Sequence, residues 1–215
     1  RIVRDRELDG RKETFQELVQ KGLGGFLVRN MESYGILDAM GLTSRIVLDA
    51  NIYTMNNRAE AFWMKKGILG DTVPLELNAK ELVHRNNKNS ELTVYGYTPM
   101  MVSVQCVQKT MDHCNHACVQ YVLKDRYQKE FRGVCSCEFC YNTIYNTLPT
   151  SLLKEKEKAE KLGVKAYRLS FTTETQQETE KIVRAFVDVY LRGQKPDGQM
   201  QTEETTKGHF QRGVE

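Results

Sequence analysis

The sequence contains no run of roughly 18 consecutive apolar residues, the length that a membrane-spanning helix needs. It also lacks an excess of charge of one sign, because 31 lysines and arginines against 28 aspartates and glutamates leave a net charge of only +3. So mild a balance does not by itself indicate a nucleic-acid or membrane partner. No Gly-x-Ser-x-Gly, His-Glu-x-x-His or Walker sequence occurs, so a serine or zinc peptidase mechanism has no motif to support it.

The composition is that of an ordinary folded chain. Hydrophobic residues make up 40% of the 215 positions and charged residues make up 27%. A chain of this length can bury one sizeable core. The balance excludes a disordered or collagen-like protein.

Short apolar runs alternate with amphipathic stretches along most of the sequence. The runs that predict strands are Ile2–Val3, Phe26–Val28, Ile46–Leu48, Val73–Leu77, Leu92–Tyr95, Thr143–Asn146 and Ala166–Phe171. Helices are predicted between them, for example over Leu8–Lys21, Ser33–Met40 and Glu174–Leu191, where apolar residues recur at helical spacing. Short apolar runs without alternation are typical of strands that are covered on both faces in a parallel sheet.

This pattern predicts an α/β fold with a TIM-barrel-like β/α repeat of six or seven strands, one or two short of the complete barrel. An open doubly wound sheet is the alternative, and the absence of a Gly-rich phosphate loop favours the barrel. We expect the barrel-like domain over residues 1–193, with a cysteine-rich excursion at its rim at about 100–140. Residues 194–215 predict a polar connector and a C-terminal tail. Within the excursion, Val119–Leu123 and Phe131–Val134 predict a hairpin.

All six cysteines lie within the excursion, and the rest of the chain has none. They are Cys106, Cys114, Cys118, Cys135, Cys137 and Cys140. A disulfide scaffold would scatter its cysteines, whereas a local cluster predicts a metal or iron–sulfur site in a reducing compartment, here the cytoplasm. Pairs separated by two or three residues present both sulfurs to one point.

Spacing therefore selects the pair Cys114 and Cys118 and the pair Cys137 and Cys140. Three interpretations of the cluster stay open on this evidence. An iron–sulfur cluster would use four of the thiolates, a structural zinc would use four or would use three with His113 or His116, and free thiols would bind no metal.

Polar residues follow several of the predicted strands and could line one mouth of the barrel. They are Arg29, Asn30, Asp49, Asn51, Glu76, Asn78, Tyr95, Tyr97, Asn142 and Asn146. A helix cap or a turn explains most asparagines and aspartates in such positions equally well. Arg168 is more suggestive, because a charge inside an apolar strand must face a polar mouth or pair with an acid.

Several consecutive motifs resemble peptidase family U32, the collagenase-like peptidases. The motifs are YGYTPMMVSVQC, CNHAC, YVLKDR and CEFCYNTIYNTLP, followed by YRLSFTTE and GHFQRGVE. The resemblance covers nearly the whole chain. The chain is similar to the C-terminal region of the long multidomain branch of that family. This similarity implies that this chain, which begins with Arg1 and not with Met, is the C-terminal portion of a longer protein, with the remainder of that chain as its partner.

The resemblance also implies a chemistry. Relatives of the family hydroxylate RNA bases or ubiquinone precursors and carry an iron–sulfur cluster on four cysteines, and the RNA-modifying members depend on prephenate. By motif position, the implied ligands of a 4Fe-4S cluster are Cys106, Cys114, Cys118 and Cys140. Cys135 or Cys137 could substitute for one of them, and zinc is the alternative metal.

Three functions follow as expectations. The first is an iron–sulfur-dependent RNA base hydroxylase acting on rRNA or tRNA, with the basic residues Lys109, Lys124, Arg126 and Arg132 facing the phosphates. The second is a U32 peptidase that binds an extended peptide, and the third is a metal-stabilised, non-catalytic substrate-docking module. The residues expected to bind the substrate are Lys124, Arg126, Arg168 and Glu76, and no membrane partner is expected.

Overall fold

The computed structural model describes the chain over residues 10–112, 114–196 and 204–214. The predicted strand Ile2–Val3 and the central part of the predicted connector lie outside these residues. The chain divides into two units: residues 1–93, 157–168 and 208–215 belong to the first, and residues 94–156 and 169–207 belong to the second.

Helices and strands alternate in the N-terminal part of the chain. In order they are α1 (Arg11–Gln20), β1 (Phe26–Val28), α2 (Met31–Ala39), β2 (Ile46–Leu48), α3 (Asn57–Lys65), β3 (Gly70–Thr72), α4 (Ala79–Leu82) and β4 (Ser90–Gly96). The side chains of Asn30, Asn56 and Asn78 accept hydrogen bonds from the first backbone N–H groups of α2, α3 and α4. These N–H groups have no partner inside the helix, so each asparagine fixes where its helix begins.

The elements after β4 include a second set of strands. They are β5 (Pro99–Ser103), α5 (Val107–Thr110), β6 (Gln120–Lys124), β7 (Glu130–Ser136), β8 (Tyr141–Tyr145), β9 (Thr150–Ser151), α6 (Lys156–Lys161), β10 (Ala166–Ser170) and α7 (Gln176–Phe186). A π-helical turn over Val187–Leu191 continues α7, which confirms most of the long C-terminal helix predicted from sequence. Among the described residues, no helix has both the length and the apolar character needed to cross a membrane.

The described strands form two sheets. The larger has the order β1-β2-β3-β4-β10, with parallel pairing from β1 to β4, and β9 pairs antiparallel with the end of β4. The smaller has the order β5-β8-β7-β6 and is antiparallel throughout. The α/β class with a parallel sheet is confirmed. The described strands do not close into a barrel, so the TIM-barrel-like closure is not observed.

The core of the first unit lies on one face of the parallel sheet. Its central strand residues are Phe26, Val28, Ile46 and Leu48, all buried. Phe15 of α1 packs edge-on against Phe26, with the ring centroids 5.3 Å apart. Leu27, whose side chain points to the other face, is 49% exposed. The sequence predicted cover on both faces, whereas the described helices cover the face of Phe26 and Val28.

The third strand lies earlier in the sequence than predicted. Val73–Leu77 was the apolar candidate, but the paired residues are Gly70–Thr72, which include two polar side chains. Asp71 is buried because Arg85, Thr54 and Ser90 all hydrogen-bond to its carboxylate. An apolar pattern cannot identify such a strand, since the partners that make its burial favourable are distant in sequence.

Arg85 is the centre of this buried polar group. Its guanidinium forms an ion pair with Asp71, and both side chains are almost completely buried. It also donates to the backbone carbonyl of Thr54 at 2.8 Å and to the side chains of Asn87 and Ser90, each at 2.9 Å. A buried charge with this many partners is costly to leave unpaired.

We therefore expect Arg85→Ala to lower the free energy of unfolding by about 3–5 kcal/mol, because Asp71 becomes a buried charge without its ion-pair partner. Urea denaturation followed by circular dichroism measures the change. Arg58→Ala, which removes an exposed arginine of α3, is the matched control and should change the free energy by less than about 0.5 kcal/mol. Equal effects of the two substitutions would contradict the buried ion pair.

In the second unit, a capping box starts α7. The hydroxyl of Thr175 accepts from the backbone N–H of Glu178 at 3.2 Å, and the Glu178 carboxylate accepts from the backbone N–H of Thr175 at 2.5 Å. The backbone N–H of Thr175 is the largest cause of a lowered pKa of Glu178, and the charge of Arg132 adds to it. A carboxylate with a lowered folded-state pKa stabilises the fold above its unfolded pKa. This stability is lost as the pH falls through the folded-state pKa.

We expect Glu178→Gln to lower the free energy of unfolding by ~1 kcal/mol near neutral pH. The difference from the wild type should shrink as the pH falls below the unfolded-state pKa of glutamate, about 4.3, and should vanish only below the lowered folded-state pKa of Glu178. Urea denaturation at several pH values measures it. Glu180→Gln is the control, because Glu180 forms an exposed pair with Arg184. The same pH dependence in both variants would rule out the capping box as its source.

Candidate metal centre

The antiparallel sheet and its connections bring the cysteines together in the second unit. Cys106 stands directly before α5, Cys114 and Cys118 lie between α5 and β6, Cys135 lies in β7, and Cys137 and Cys140 flank the turn between β7 and β8. Cys106 and Cys135 are buried and Cys137 is half-buried, while the remaining three are exposed. The hairpin predicted from sequence is confirmed as β6 and β7, paired from Gln120 to Lys124.

β8 was predicted as a return to the β/α repeat, but it pairs antiparallel with β7 and β5. This pairing positions the first two thiols. Cys135 lies opposite Asn142, whose side-chain amide donates to the carbonyl of Gln105 at 2.8 Å. The bond holds the chain directly before Cys106. As a result, the sulfurs of Cys106 and Cys135 lie 3.8 Å apart.

The two buried thiols have different electrostatic environments. Hydrogen bonds from the backbone N–H of Lys109, and also of Gln108, lower the pKa of Cys106 against the opposing effect of burial. Burial and, after it, the neighbouring Cys106 thiol raise the pKa of Cys135 to about 11. Of this pair, Cys106 therefore ionises more readily, and only the ionised thiolate binds a metal.

Cys137 lies within electrostatic reach of the four predicted ligands. Desolvation is the main cause of its raised pKa, and the thiols of Cys114, Cys140, Cys118 and Cys106 add to it. The backbone N–H of Cys137 also points to the sulfur of Cys118 at 3.4 Å. Cys140 adopts a left-handed backbone conformation with φ of 50°, which ends the turn. The two short-spaced cysteine pairs therefore lie near each other, with the backbone of Cys137 against the sulfur of Cys118.

Over the described residues, no three cysteine, histidine, aspartate or glutamate side chains have the arrangement of a ready-made metal site. His113, a candidate zinc ligand, lies outside the described residues. The donor set itself fits a thiolate-ligated metal, because it consists of sulfurs supplied by two short-spaced pairs and a buried pair. Metal binding by these cysteines is a prediction.

Buried polar atoms without partners surround the Cys106–Cys135 pair. Within the part of the chain that the structure describes, Tyr121 Oη, Gln108 Oε1 and Asn142 Oδ1 are buried and have no hydrogen-bond partner. Gln108 follows Cys106 by two residues, and Asn142 lies opposite Cys135. Such atoms are uncommon in folded proteins and often mark a place where a ligand or water binds.

The residues predicted to bind substrate fall in both units. In the second unit, Lys124 pairs with Glu130 at 3.0 Å across the hairpin, and the guanidinium of Arg126 lies 4.7 Å from the ring centroid of Tyr127. In the first unit, Glu76 follows β3 and has a buried carboxylate oxygen without a partner among the described residues. Arg168 lies on β10, half-buried within a network of acids.

This network unites several residues that the sequence singled out one by one. Arg168 donates to Asp49 at 2.8 Å and to Glu91 at 2.9 Å. The other oxygen of Asp49 accepts from Arg29 at 2.7 Å, and Arg29 also contacts Asn51 at 3.3 Å. Sequence reasoning missed Glu91. The sequence does contain a signal for it: polar residues occupy alternate positions of β4, and two of them, Glu91 and Thr93, face Arg168.

These features define an α/β protein with a thiol-rich antiparallel sheet and an arginine–carboxylate network on its parallel sheet. The family model described as Peptidase family U32 matches residues 1–215. The chain therefore belongs to peptidase family U32, and the resemblance seen in its motifs is confirmed. No curated protein and no solved structure gives a significant match to the chain.

The geometry distinguishes the two substitute cysteines. We expect Cys137→Ser to lower the iron bound per chain more than Cys135→Ser, because Cys137 lies against the sulfur of the predicted ligand Cys118, at 3.4 Å from its backbone nitrogen, while Cys135 is buried beside Cys106. Iron and sulfide analysis of anaerobically purified variants measures this, with circular dichroism to verify folding. Greater loss of iron from Cys135→Ser would contradict the assignment.

Proposed function

We propose that this U32 chain holds an iron–sulfur cluster on cysteines of its second unit and acts in the hydroxylation of an RNA base, linked to prephenate. The observation that supports the proposal is the proximity of cysteines on the antiparallel sheet and its connections: the sulfurs of Cys106 and Cys135 lie 3.8 Å apart, and the backbone N–H of Cys137 points to the sulfur of Cys118 at 3.4 Å. Thiolates from short-spaced pairs are the usual ligands of such clusters.

Cys106, Cys114, Cys118 and Cys140 would hold the group, and a bound 4Fe-4S cluster supplies electron transfer. The chain's own residues prepare the site around it. The backbone N–H groups of Lys109 and Gln108 stabilise the thiolate of Cys106. Burial of Cys106 and Cys135 excludes water from one side, while the exposed Cys114, Cys118 and Cys140 leave the other side open to solvent.

The hairpin of β6 and β7 is the candidate surface for RNA. Lys124 and Arg126 lie at its tip, where phosphates attract cationic side chains. Tyr127, which is 68% exposed and lies under Arg126, presents an aromatic face on which an unpaired base can stack. Arg132 is less available, because it covers the Tyr97 ring and donates to Thr173 at 3.2 Å.

The arginine–carboxylate network in the first unit is the candidate site for an anionic small molecule such as prephenate. Arg168 already has two carboxylate partners, so its role would be to orient Asp49 and Glu91. Arg29 is the better contact for a substrate carboxylate, because its side chain is 58% exposed. Guanidinium groups bind carboxylates through paired hydrogen bonds.

The name of the family favours a second candidate function, a peptidase that binds an extended peptide. A cysteine nucleophile would need a histidine base at hydrogen-bond distance. Among the described residues, His116, between Cys114 and Cys118, is the histidine nearest in sequence to such a nucleophile. No hydrogen bond from it to a thiol is found in the described part of the chain. The peptidase therefore ranks second, and a metal-stabilised docking module ranks third.

Metal analysis of the purified protein and mass spectrometry of cellular RNA distinguish the hydroxylase from the peptidase. We expect the anaerobically purified protein to be brown and to contain iron and sulfide, and we expect RNA from a deletion strain to lack one hydroxylated base by mass spectrometry. A colourless protein with stoichiometric zinc would overturn the cluster. An unchanged RNA modification profile together with cleavage of gelatin would establish the peptidase in its place.

Phosphate contacts at the hairpin predict a salt dependence. We expect the double variant Lys124→Ala/Arg126→Ala to bind single-stranded RNA more weakly, with a slope of log K against log salt reduced by about 1.4, since each lost contact contributes ~0.7. Fluorescence anisotropy at several salt concentrations measures the slope. The control, Arg58→Ala/Lys80→Ala, removes the same charge from exposed helix positions of the first unit. Equal slopes in both double variants would exclude the hairpin as the RNA contact.

A further inference from the structure

Two cysteines that are 29 residues apart in the sequence have their sulfurs in contact. The Sγ atoms of Cys106 and Cys135 lie 3.8 Å apart, and both cysteines are free thiols. A disulfide bond is about 2 Å long, so the two sulfurs need to approach each other by only roughly 2 Å to form one. The pair therefore has the geometry of a dithiol that can close into a disulfide.

Both thiols are attached to backbone that the fold holds in place. Cys135 lies within β7, which is paired on both sides, by β6 and by β8. The carbonyl of Cys106 accepts from the backbone N–H and from the hydroxyl of Thr110, each at 3.0 Å. Asn142, which is completely buried, donates to the carbonyl of Gln105 and holds the chain directly before Cys106. Two groups that are held together in this way react far faster than the same groups in free solution.

The other four cysteines differ from this pair in exposure and in contacts. Three of them are exposed and one is half-buried. Their hydrogen bonds in the described part of the chain link sulfur to backbone: the N–H of Cys137 points to the sulfur of Cys118, and Sγ of Cys140 donates to the carbonyl of Cys137 at 3.6 Å. The direct contact between two sulfurs therefore distinguishes Cys106 and Cys135.

The two thiols of the pair also differ in their access to solvent. Cys106 is 7% exposed, whereas Cys135 has no exposed surface. A small uncharged oxidant such as hydrogen peroxide therefore reaches Cys106 first. Cys135 is then the thiol that reacts with the oxidised sulfur of Cys106, as a resolving cysteine does.

We propose that Cys106 and Cys135 form a reversible disulfide bond when hydrogen peroxide oxidises Cys106. The sulfur of Cys106 attacks one peroxide oxygen and the O–O bond breaks. The thiol proton leaves with the other oxygen as water, and Cys106 becomes a sulfenic acid. The sulfur of Cys135 then attacks the sulfur of Cys106 and the S–O bond breaks, so that the proton of Cys135 leaves with the oxygen as a second water. Two electrons pass from the thiols to the peroxide, and a dithiol reductant restores both thiols by exchange.

The bond itself requires no metal, because it depends on the contact between the two thiols. Its consequence for metal binding rests on the proposed function. Only an ionised thiol binds a metal, so the disulfide removes Cys106 from the predicted ligands and reduction returns it.

The test is disulfide mapping of the full chain. Anaerobically purified protein is freed of metal with a chelator and treated with equimolar hydrogen peroxide. The remaining free thiols are alkylated under denaturing conditions, and the unreduced peptides are sequenced by tandem mass spectrometry. We expect a peptide linked through Cys106 and Cys135 that disappears after reduction.

Two variants make the assignment specific, and circular dichroism verifies that each is folded. Cys135→Ala should lose the linked peptide completely. Cys137→Ala, which removes a thiol two residues away, is the matched control and should retain it. A folded wild type without the Cys106–Cys135 peptide would overturn the inference, whether other cysteines are linked instead or Cys106 stops at the sulfenic acid.

The metal content separates this inference from the proposed function. A wild type that contains no iron and sulfide as purified would overturn the proposed function, while the peptides would still decide whether the disulfide forms. If iron is present, reconstitution of the metal-free chain with iron and sulfide should fail after peroxide treatment and recover after reduction, and Cys135→Ala should resist this loss. Reconstitution that is unaffected by a mapped Cys106–Cys135 bond would overturn the consequence for metal binding alone.

Discussion

The antiparallel pairing of β8 with β7 is the constraint on which the candidate site depends. The register sets Cys135 opposite Asn142 and Gly133 opposite Ile144, and it sends the chain through the tight turn that carries Cys137 and Cys140. A slip of one residue would move Cys135 to the other face of the sheet and away from Cys106. The approach of Cys135 to Cys106 therefore depends on one strand register.

Gathering thiols in this way has an electrostatic consequence. Each ionised thiol disfavours the ionisation of its neighbours, which is why the pKa values of Cys135 and Cys137 are raised by the surrounding cysteines in addition to burial. A cation at the same place reverses this effect, because it stabilises every thiolate at once. Without a cation, the raised pKa values keep Cys135 and Cys137 protonated and uncharged near neutral pH.

In the first unit, by contrast, acidic and basic side chains are buried as ion pairs. Asp71 and Arg85 are enclosed within the fold, and Asp49 accepts from two arginines on the parallel sheet. The sequence predicted that Arg168 needs an acid or a polar mouth, and the structure supplies Asp49 and Glu91. The sequence analysis missed Glu91 and the strand containing Asp71. A search for apolar runs does not find a buried polar residue whose partner is far away along the chain.

Local features were determined by the sequence alone. The asparagine caps, the apolar strands β1 and β2, the hairpin of β6 and β7 and the clustering of the cysteines all follow from neighbouring residues, so they could be predicted. Tertiary structure alone decided the antiparallel placement of β8, the 3.8 Å approach of Cys106 to Cys135 and the position of Tyr121 over Gly133. These depend on strand register and on contacts between distant residues, for which a single sequence contains no local signal.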